Sequence, residues 1–229
     1  MDGDPKFRKS GFFGRLDERR GYHHGRLKEA LLEAARGLLS ERGGGSFTLA
    51  EAAKRVGVTS AALYRHFADR NALMAELSRR AFELFGQRMA GAWDQGRPDA
   101  VSALARMGSA YLAFAREEPG LYASMFSDAA SLGREPAAGA EGAAAAKSLD
   151  QLQRAVAAAL AAKGGPASAT RGLALQIWSL SHGVASLVAG AHLDPAWAGC
   201  DPETVLRNGV MSLLEQTARP TAPSGPWGR

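Results

Sequence analysis

The chain has a single cysteine, Cys200, in 229 residues, which excludes an intrachain disulfide framework and a cysteine-based zinc cluster. Such scarcity fits a reducing compartment. Histidine pairs suited to a metal are also missing. His23 and His24 are adjacent and His182 and His192 are ten apart, so neither pair can share an ion from one helix face. Catalytic arrangements are equally scarce: Ser181-His182 lacks the nucleophile elbow of a hydrolase, and Cys200 has no neighbouring His or Lys to activate it. Gly43-Gly44-Gly45 reads as a loop and not as a phosphate cradle, because no Gly-Lys-Ser/Thr follows it. Alternating apolar and polar runs are absent, so strands are not expected. The N-terminal stretch Met-Asp-Gly-Asp-Pro-Lys-Phe-Arg-Lys has no apolar segment of the secretory kind. No metal, cofactor or enzymatic activity is expected.

What the chain does have is an uneven charge. Lys and Arg number 28 against 23 Asp and Glu, a formal net of +5. Residues 1–80 hold 16 basic and 10 acidic side chains, while residues 81–229 hold 12 and 13. The excess positive charge therefore sits in the first third, where a polyanion would dock. A hydrophobic content of 46% implies a substantial core. One segment, Leu173 to Leu193, carries no Asp, Glu, Lys or Arg over twenty-one residues, long enough for a membrane span. Its Gln176, Ser179, Ser181, His182, Ser186 and His192 favour instead a buried helix in a soluble, cytoplasmic protein.

The periodicity predicts an all-α chain. Residues 1–21 are basic, show no sustained apolar period and read as a flexible arm. Leu27, Leu31, Ala34, Ala35 and Leu38 mark a first helix that the glycine triplet stops. Thr48 with Glu51 three residues on is a capping box for a second, short helix carrying Leu49, Ala52, Ala53 and Val56. Gly57 ends it. Thr59 caps a third helix with Leu63 and Phe67 on its inner side. Asp69 caps a fourth, with Leu73, Leu77, Ala81 and Leu84 as its stripe and a break over 91–98. Further helices are expected near 99–117, 120–127, 140–162, 167–191 and 202–217, set apart by Pro119-Gly120, Gly164-Gly165-Pro166 and Asp194-Pro195. The tail beyond 217 is expected to be disordered. The divisions are a basic arm (1–21), a first helical unit (22–68), a connecting fourth helix (69–97), a C-terminal helical domain (98–217) and a tail (218–229).

Two short helices joined by Val56-Gly57-Val58 describe a helix-turn-helix. Gly57 can take the positive φ of the turn, and Val58 can plug the angle. With Leu63 and Phe67 turned inward, Ser60, Ala61, Tyr64 and Arg65 face outward. A helix in the major groove reads bases from its N-terminal residues while its flanks hold phosphates.

The run Gly57-Val58-Thr59-Ser60-Ala61-Ala62-Leu63-Tyr64-Arg65-His66-Phe67, followed by Arg70 and Leu73, resembles the helix-turn-helix signature of TetR-family transcriptional regulators, and the resemblance extends from about Tyr22 to Phe85. It implies a dimer that places two recognition helices in successive major grooves of a pseudo-palindromic operator, and a divergent C-terminal domain whose small-molecule effector alters their spacing. Carried over by residue, it puts Thr48 on a phosphate through its hydroxyl and the helix N-terminus. Thr59 opens the recognition helix, whose Ser60, Ala61 and Ala62 would face base edges. Tyr64, His66 and Arg70 would hold phosphates, and Arg65 either a phosphate or a base. The sequence departs from the family at Ala52, where a large aliphatic residue is usual, and at Ala50, Ala61 and Ala62, which leave few hydrogen-bond donors for reading bases. Specificity would then lean on Ser60, Arg65, thymine methyl contacts and DNA shape. The arm, through Arg15, Arg19 and Arg20, either adds a groove contact or is a solvated linker.

In the C-terminal half, Trp178-x-x-x-His182-Gly183, with Tyr111-Leu112-x-Phe114-Ala115 and Glu118-Pro119-x-Leu121-Tyr122 upstream, resembles the TetR-like C-terminal class named for its Trp-His-Gly residues. Trp178 and His182 share a helix face, an aromatic wall beside a polar group, suited to a largely apolar effector. Met107, Tyr111, Phe114, Tyr122, Met125 and Phe126 are candidates for the same cavity, with core packing as the alternative. Leu180, Val184, Leu187 and Val188 on one helix, with Val210, Leu213 and Leu214 on the last, are candidates for a four-helix dimer face. The expected function is ligand-responsive transcriptional regulation, most often repression. A helical enzyme or a membrane-surface protein are the competing readings.

Overall fold

A computed structural model describes residues 14–126, 140–189 and 199–219. The described residues are helical throughout, joined by turns, with no strand among them. The helices are α1 (Gly14–Glu41), α2 (Leu49–Val56), α3 (Ser60–Tyr64), α4 (Arg70–Trp93), α5 (Ala100–Glu117), α6 (Pro119–Phe126), α7 (Ala140–Ala162), α8 (Thr170–Ala189) and α9 (Pro202–Ala218). The N-terminal three helices form one unit, and α4 leaves it to join a bundle made with α5, α7, α8 and α9.

Local chemistry sets the short helices. Thr48 Oγ1 accepts from the Glu51 backbone N–H while the Glu51 carboxylate accepts from the Thr48 N–H at 2.7 Å, a reciprocal cap at the head of α2. Gly57 closes α2 at φ 77°, a left-handed conformation that glycine adopts without steric cost. The N–H of Val58 then reaches back to the Ala53 carbonyl, and Val58 packs half-buried against the core. Thr59 caps α3 and Asp69 caps α4, each through a side-chain oxygen that accepts from the N–H three residues on.

The first helix is longer than expected. It starts at Gly14, so residues 14–21 of the expected flexible arm are helical. Leu16, Glu18, Arg19 and Arg20 are strong helix formers, and propensity extends a helix where no apolar stripe announces one. The expected tail (218–229) gives up Ala218 to α9, and residues 1–13, 127–139, 190–198 and 220–229 lie outside the described residues. The fourth helix also runs on, through Gly91 to Trp93, and ends where Asp94 turns left-handed at φ 43°. Its inner stripe is Leu73, Leu77, Ala81, Phe85 and Met89, with Leu84 only half-buried.

The apolar arc of α1 is wider than its expected stripe, because Leu32 and Leu39 are buried beside Leu31, Ala35 and Leu38. One side of α1 faces α2 and α4, and the other faces α6. The contact with α6 is tight at Gly120, where a Cβ would stand 2.1 Å from the Arg36 carbonyl oxygen. Glu118, just before α6, lies 3.6 Å from Arg36 of α1 and 3.7 Å from Arg88 of α4. The two halves of the molecule are thus fastened through α6 as well as through α4.

Among the described residues one segment, Ala167–Ala189, is long and apolar enough to cross a membrane. In the fold it packs on α5, α7 and α9, with Leu173, Ala174, Ile177 and Ala185 inward. Cys200 is exposed beside α9.

The Gly120 approach generates a test of the α1–α6 joint. Gly120→Ala cannot be accommodated without moving a backbone carbonyl and is expected to destabilise the protein by about 3 kcal/mol, measured by urea unfolding. An unchanged midpoint would mean that the two helices are not packed at this distance.

Candidate nucleic-acid interface and effector cavity

The helix-turn-helix presents its expected outer face. Leu63 and Phe67 are buried, whereas Tyr64 is 57% exposed. Thr59, Ser60, Ala61 and Arg65 are exposed alongside it. Ala62 is half-buried and His66 likewise. Ala62 therefore lies toward the flank of the reading face, its N–H already given to Thr59 Oγ1.

Two expected phosphate contacts have a structural occupation as well. The Thr48 hydroxyl accepts from the Glu51 N–H and stands 3.0 Å from the Glu51 carboxylate. That carboxylate is paired with Arg42 across the glycine loop at 2.5 Å. The Arg42 guanidinium and the Thr48 N–H hold the Glu51 carboxyl down to about 2. A phosphate at this helix start would meet the Glu51 charge, so the Thr48 hydroxyl is first a cap. Arg70 donates through Nε to the Phe47 carbonyl at 3.0 Å and lies over the Phe47 ring at 5.1 Å. It ties the head of α4 to the segment of chain entering α2.

A second ionic cluster joins α1 to α4. Glu76 bonds Arg79 and Arg80, with Lys28 at 3.4 Å, and Arg80 reaches on to Glu29. Arg79 above all, with Arg80, holds the Glu76 carboxyl down from 4.5 to about 2, against the burial that would raise it.

The bundle encloses a cavity of about 430 Å³, within the size range of small-molecule sites. Of the residues expected there, Met107, Tyr111, Met125, Phe126 and Trp178 are on its wall. Phe114 is not. It is fully buried between the Phe85 ring and the Arg88 guanidinium, on the arc of α5 that faces α4. Tyr122 and His182 stand behind the wall: Tyr122 Oη is 3.0 Å from His182 Nδ1 and 3.4 Å from Ser186 Oγ. The Phe126 and His182 ring centroids are 4.3 Å apart. Burial raises the Tyr111 and Tyr122 hydroxyls and lowers the His182 imidazole, so all three stay neutral. The wall also takes Phe82, Phe85 and Met89 from α4, and Leu149 and Leu152 from α7. Phe82, Phe85 and Met89 recur at helical spacing, a signal that the expected stripe through Leu84 passed over, and nothing in the sequence distinguishes a cavity from a core.

The expected dimer face divides in two. Val210 and Leu214 are buried inside the protomer, and Val210 lines the cavity, so neither can meet a partner. They lie with Leu206 on the arc of α9 that faces α5 and α8. Leu180, Val184, Val188 and Leu213 are half-buried and Leu187 is 49% exposed. An outer groove between α8 and α9 is lined by Leu175, Leu180, Gly209 and Leu213. Gly209 lets the helices touch there, since a Cβ would stand 2.5 Å from a Leu180 methyl. Trp178, 37% exposed, reaches both the cavity and the surface. Among the described residues no group of His, Cys, Asp or Glu could hold a metal.

Residues 31–77 match the family described as bacterial regulatory proteins, tetR family, and residues 104–213 match a tetracyclin repressor-like C-terminal domain. Comparison with curated proteins finds no match. Among solved structures, a protein of unknown function from Rhodococcus sp. RHA1 superposes with a TM-score of 0.70 at 28% identity, over 86% of this chain and 98% of that one. The TetR family transcriptional regulator PfmR from Thermus thermophilus superposes at 0.61 and 19% identity, over 80% and 96%. The fatty acid degradation regulator FadR from Bacillus halodurans superposes at 0.62 and 14%, over 82% and 94%. The last two likenesses are of fold.

The ion cluster on α4 fixes a pH dependence. Glu76 titrates near 4.5 in the unfolded chain and near 2 in the folded one, so its contribution to stability is complete above about 4.5 and is lost as pH falls toward 2. Glu76→Gln is expected to flatten the fall of stability across that window in a pH series of urea unfolding curves. A fall as steep as that of the unaltered protein would show that the cluster does not hold α1 to α4.

Proposed function

Because the chain belongs to the TetR family of transcriptional regulators, with an N-terminal DNA-binding domain and a C-terminal ligand-binding domain, we propose that it is a cytoplasmic homodimeric repressor that acts by binding and not by catalysis. Each subunit lays α3 into the major groove of a pseudo-palindromic operator and is released when a small, largely apolar effector fills the cavity. The observation that carries this reading is that α4 belongs to both sites. Its head is pinned to the helix-turn-helix by Arg70 and Phe47, and Phe82, Phe85 and Met89 of the same helix form a cavity wall.

On the DNA side, Ser60 and Ala61 meet base edges, with Thr59 and Ala62 beside them. Tyr64, His66 and Arg70 meet phosphates, and Arg65 is placed for either. Thr48 contributes chiefly by capping α2 and so presenting its N-terminus. With few donors on the reading face, methyl contacts from Ala61 and the deformability of the duplex carry much of the specificity. Two subunits meet through the outer faces of α8 and α9, at Leu180, Val184, Leu187, Val188 and Leu213, as a four-helix contact. Trp178, His182 and Gly183 on α8 fit the Trp-His-Gly class of C-terminal domain.

The coupling needs only that the effector bind one of two dimer geometries more tightly than the other. An occupant of the cavity presses on Phe82 and Phe85, α4 shifts, and the recognition helices leave the spacing of about 34 Å that successive major grooves demand.

Duplexes selected from a random pool give the test. Tyr64→Ala is expected to weaken binding to all selected duplexes about tenfold and to reduce the salt slope, whereas Arg65→Ala is expected to change the selected half-site. Gel shifts against selected and scrambled duplexes measure both. Unaltered operator binding by Tyr64→Ala would overturn the docking.

A further inference from the structure

The chemical class of the effector, a question that rests on the ligand reading above, is written in the cavity wall. Among the described residues the wall carries no Lys, Arg, Asp or Glu. Its polar side chains are few. Ser181 gives its hydroxyl to the Ile177 carbonyl in its own helix at 2.8 Å, and Ser148 gives its own to the Ala144 carbonyl at 3.1 Å. That leaves the Tyr111 phenol, and the indole N–H of the partly exposed Trp178, as the polar side-chain groups of the wall.

Tyr111 is 94% buried, being 6% exposed, and its hydroxyl is the cavity-side end of a hydrogen-bond chain that runs through Tyr122 and His182. An imidazole nitrogen has one lone pair and takes one good donor. Tyr122 Oη sits 3.0 Å from His182 Nδ1, and Tyr111 Oη only 3.5 Å from the same atom, at the margin of a hydrogen bond. Tyr122 and His182 are thereby satisfied by each other, while Tyr111 stands between them and the cavity. A ligand oxygen that takes the Tyr111 donor from Tyr122 leaves Tyr122 its own bond to His182 and its Ser186 contact.

We propose that the effector is an uncharged amphiphile, an apolar body with a single oxygen function (a ketone, alcohol, ester or lactone), whose oxygen docks on the Tyr111 hydroxyl. Anionic occupants are rejected. A carboxylate or a coenzyme A thioester drawn inside would bring charge among apolar side chains with no cation among the described wall residues, and an unpaired buried charge is far costlier than a hydrogen-bonded neutral group. Neither tyrosine nor His182 can supply that cation. Both phenols are raised by burial and the imidazole is lowered.

Five ten-carbon probes of equal apolar length decide it: decanone, decanol, decane, decanoate and decanoyl-CoA, at about pH 8, where the carboxylate is fully ionised. Binding to the full-length chain is read from the shift in melting temperature with ligand concentration and from fluorescence, to which Trp178 on the cavity wall contributes. Decanone and decanol are expected to bind more tightly than decane, and the two anions not at all over the same range. Tyr111→Phe keeps the ring and its volume, and is expected to lower affinity for decanone and decanol about tenfold while leaving decane unchanged. Decane binding shows that the variant retains its fold. Decanoate or decanoyl-CoA binding as tightly as decanone would overturn the proposal yet leave a ligand-responsive regulator standing. Unaltered decanone affinity in Tyr111→Phe, or silence of all five probes, would overturn it too. In those cases operator binding by the effector-free protein still reports separately on the DNA-binding reading.

Discussion

One helix has to satisfy two hydrophobic cores. The stripe Leu73, Leu77, Ala81, Phe85 and Met89 on α4 is buried from end to end, beginning beside the helix-turn-helix and finishing against a cavity. Burial of this kind is non-directional and scales with area, so it holds α4 in place without dictating its exact axial position. The directional constraints are polar and lie at both ends. Arg70 on the Phe47 carbonyl and the Glu76–Arg79–Arg80–Glu29 cluster bind the first turns of α4 to the reading domain. At the far end Arg88 pairs with Glu117 and Glu118 and Arg106 donates to the Ala92 carbonyl, while Phe82, Phe85 and Met89 border a space. A helix held by polar contacts near its ends but bordering a space along Phe82, Phe85 and Met89 can act as a lever.

The opposite wall of the space is built to be thin. In α7, Ala145 and Ala146 stand where larger side chains would fill the cavity, and Gly108 of α5 admits a Leu206 methyl, which would stand 3.3 Å from any Cβ there. The volume is therefore a consequence of small residues at facing positions, in a bundle whose other layers are closely packed by Leu112, Phe114, Leu173 and Leu214. The tyrosine–histidine chain at its edge keeps the enclosure from being purely hydrocarbon, and neutrality of those groups keeps it from attracting ions.

Much of this was legible from sequence because caps and turns are local. Thr48 with Glu51, Gly57, Thr59 and Asp69 each specify a helix end within four residues, and all four stand where expected. Longer-range facts were not legible. Helices α5, α8 and α9 are apolar over wide arcs, and periodicity cannot say which arc faces the core, which the cavity and which a partner. Hence Phe114 reads like a cavity residue and is core, while Val210 and Leu214 read like surface and are interior. The start of α1 escaped for the opposite reason: helix-forming residues without an amphipathic stripe. Leu84 and Phe85 are adjacent, and a small drift of the stripe along a 24-residue helix decides which of them turns inward.

The lever is tested most directly by distance. With Cys200 replaced by Ser and a spin label at Ser40→Cys, exposed on α1 away from the reading face, pulsed electron resonance on the dimer reads the separation of the two DNA-binding units. Saturating the cavity is expected to move that separation away from the value measured on bound operator, in step with the loss of DNA affinity. A separation that stays fixed while affinity falls would contradict transmission through α4.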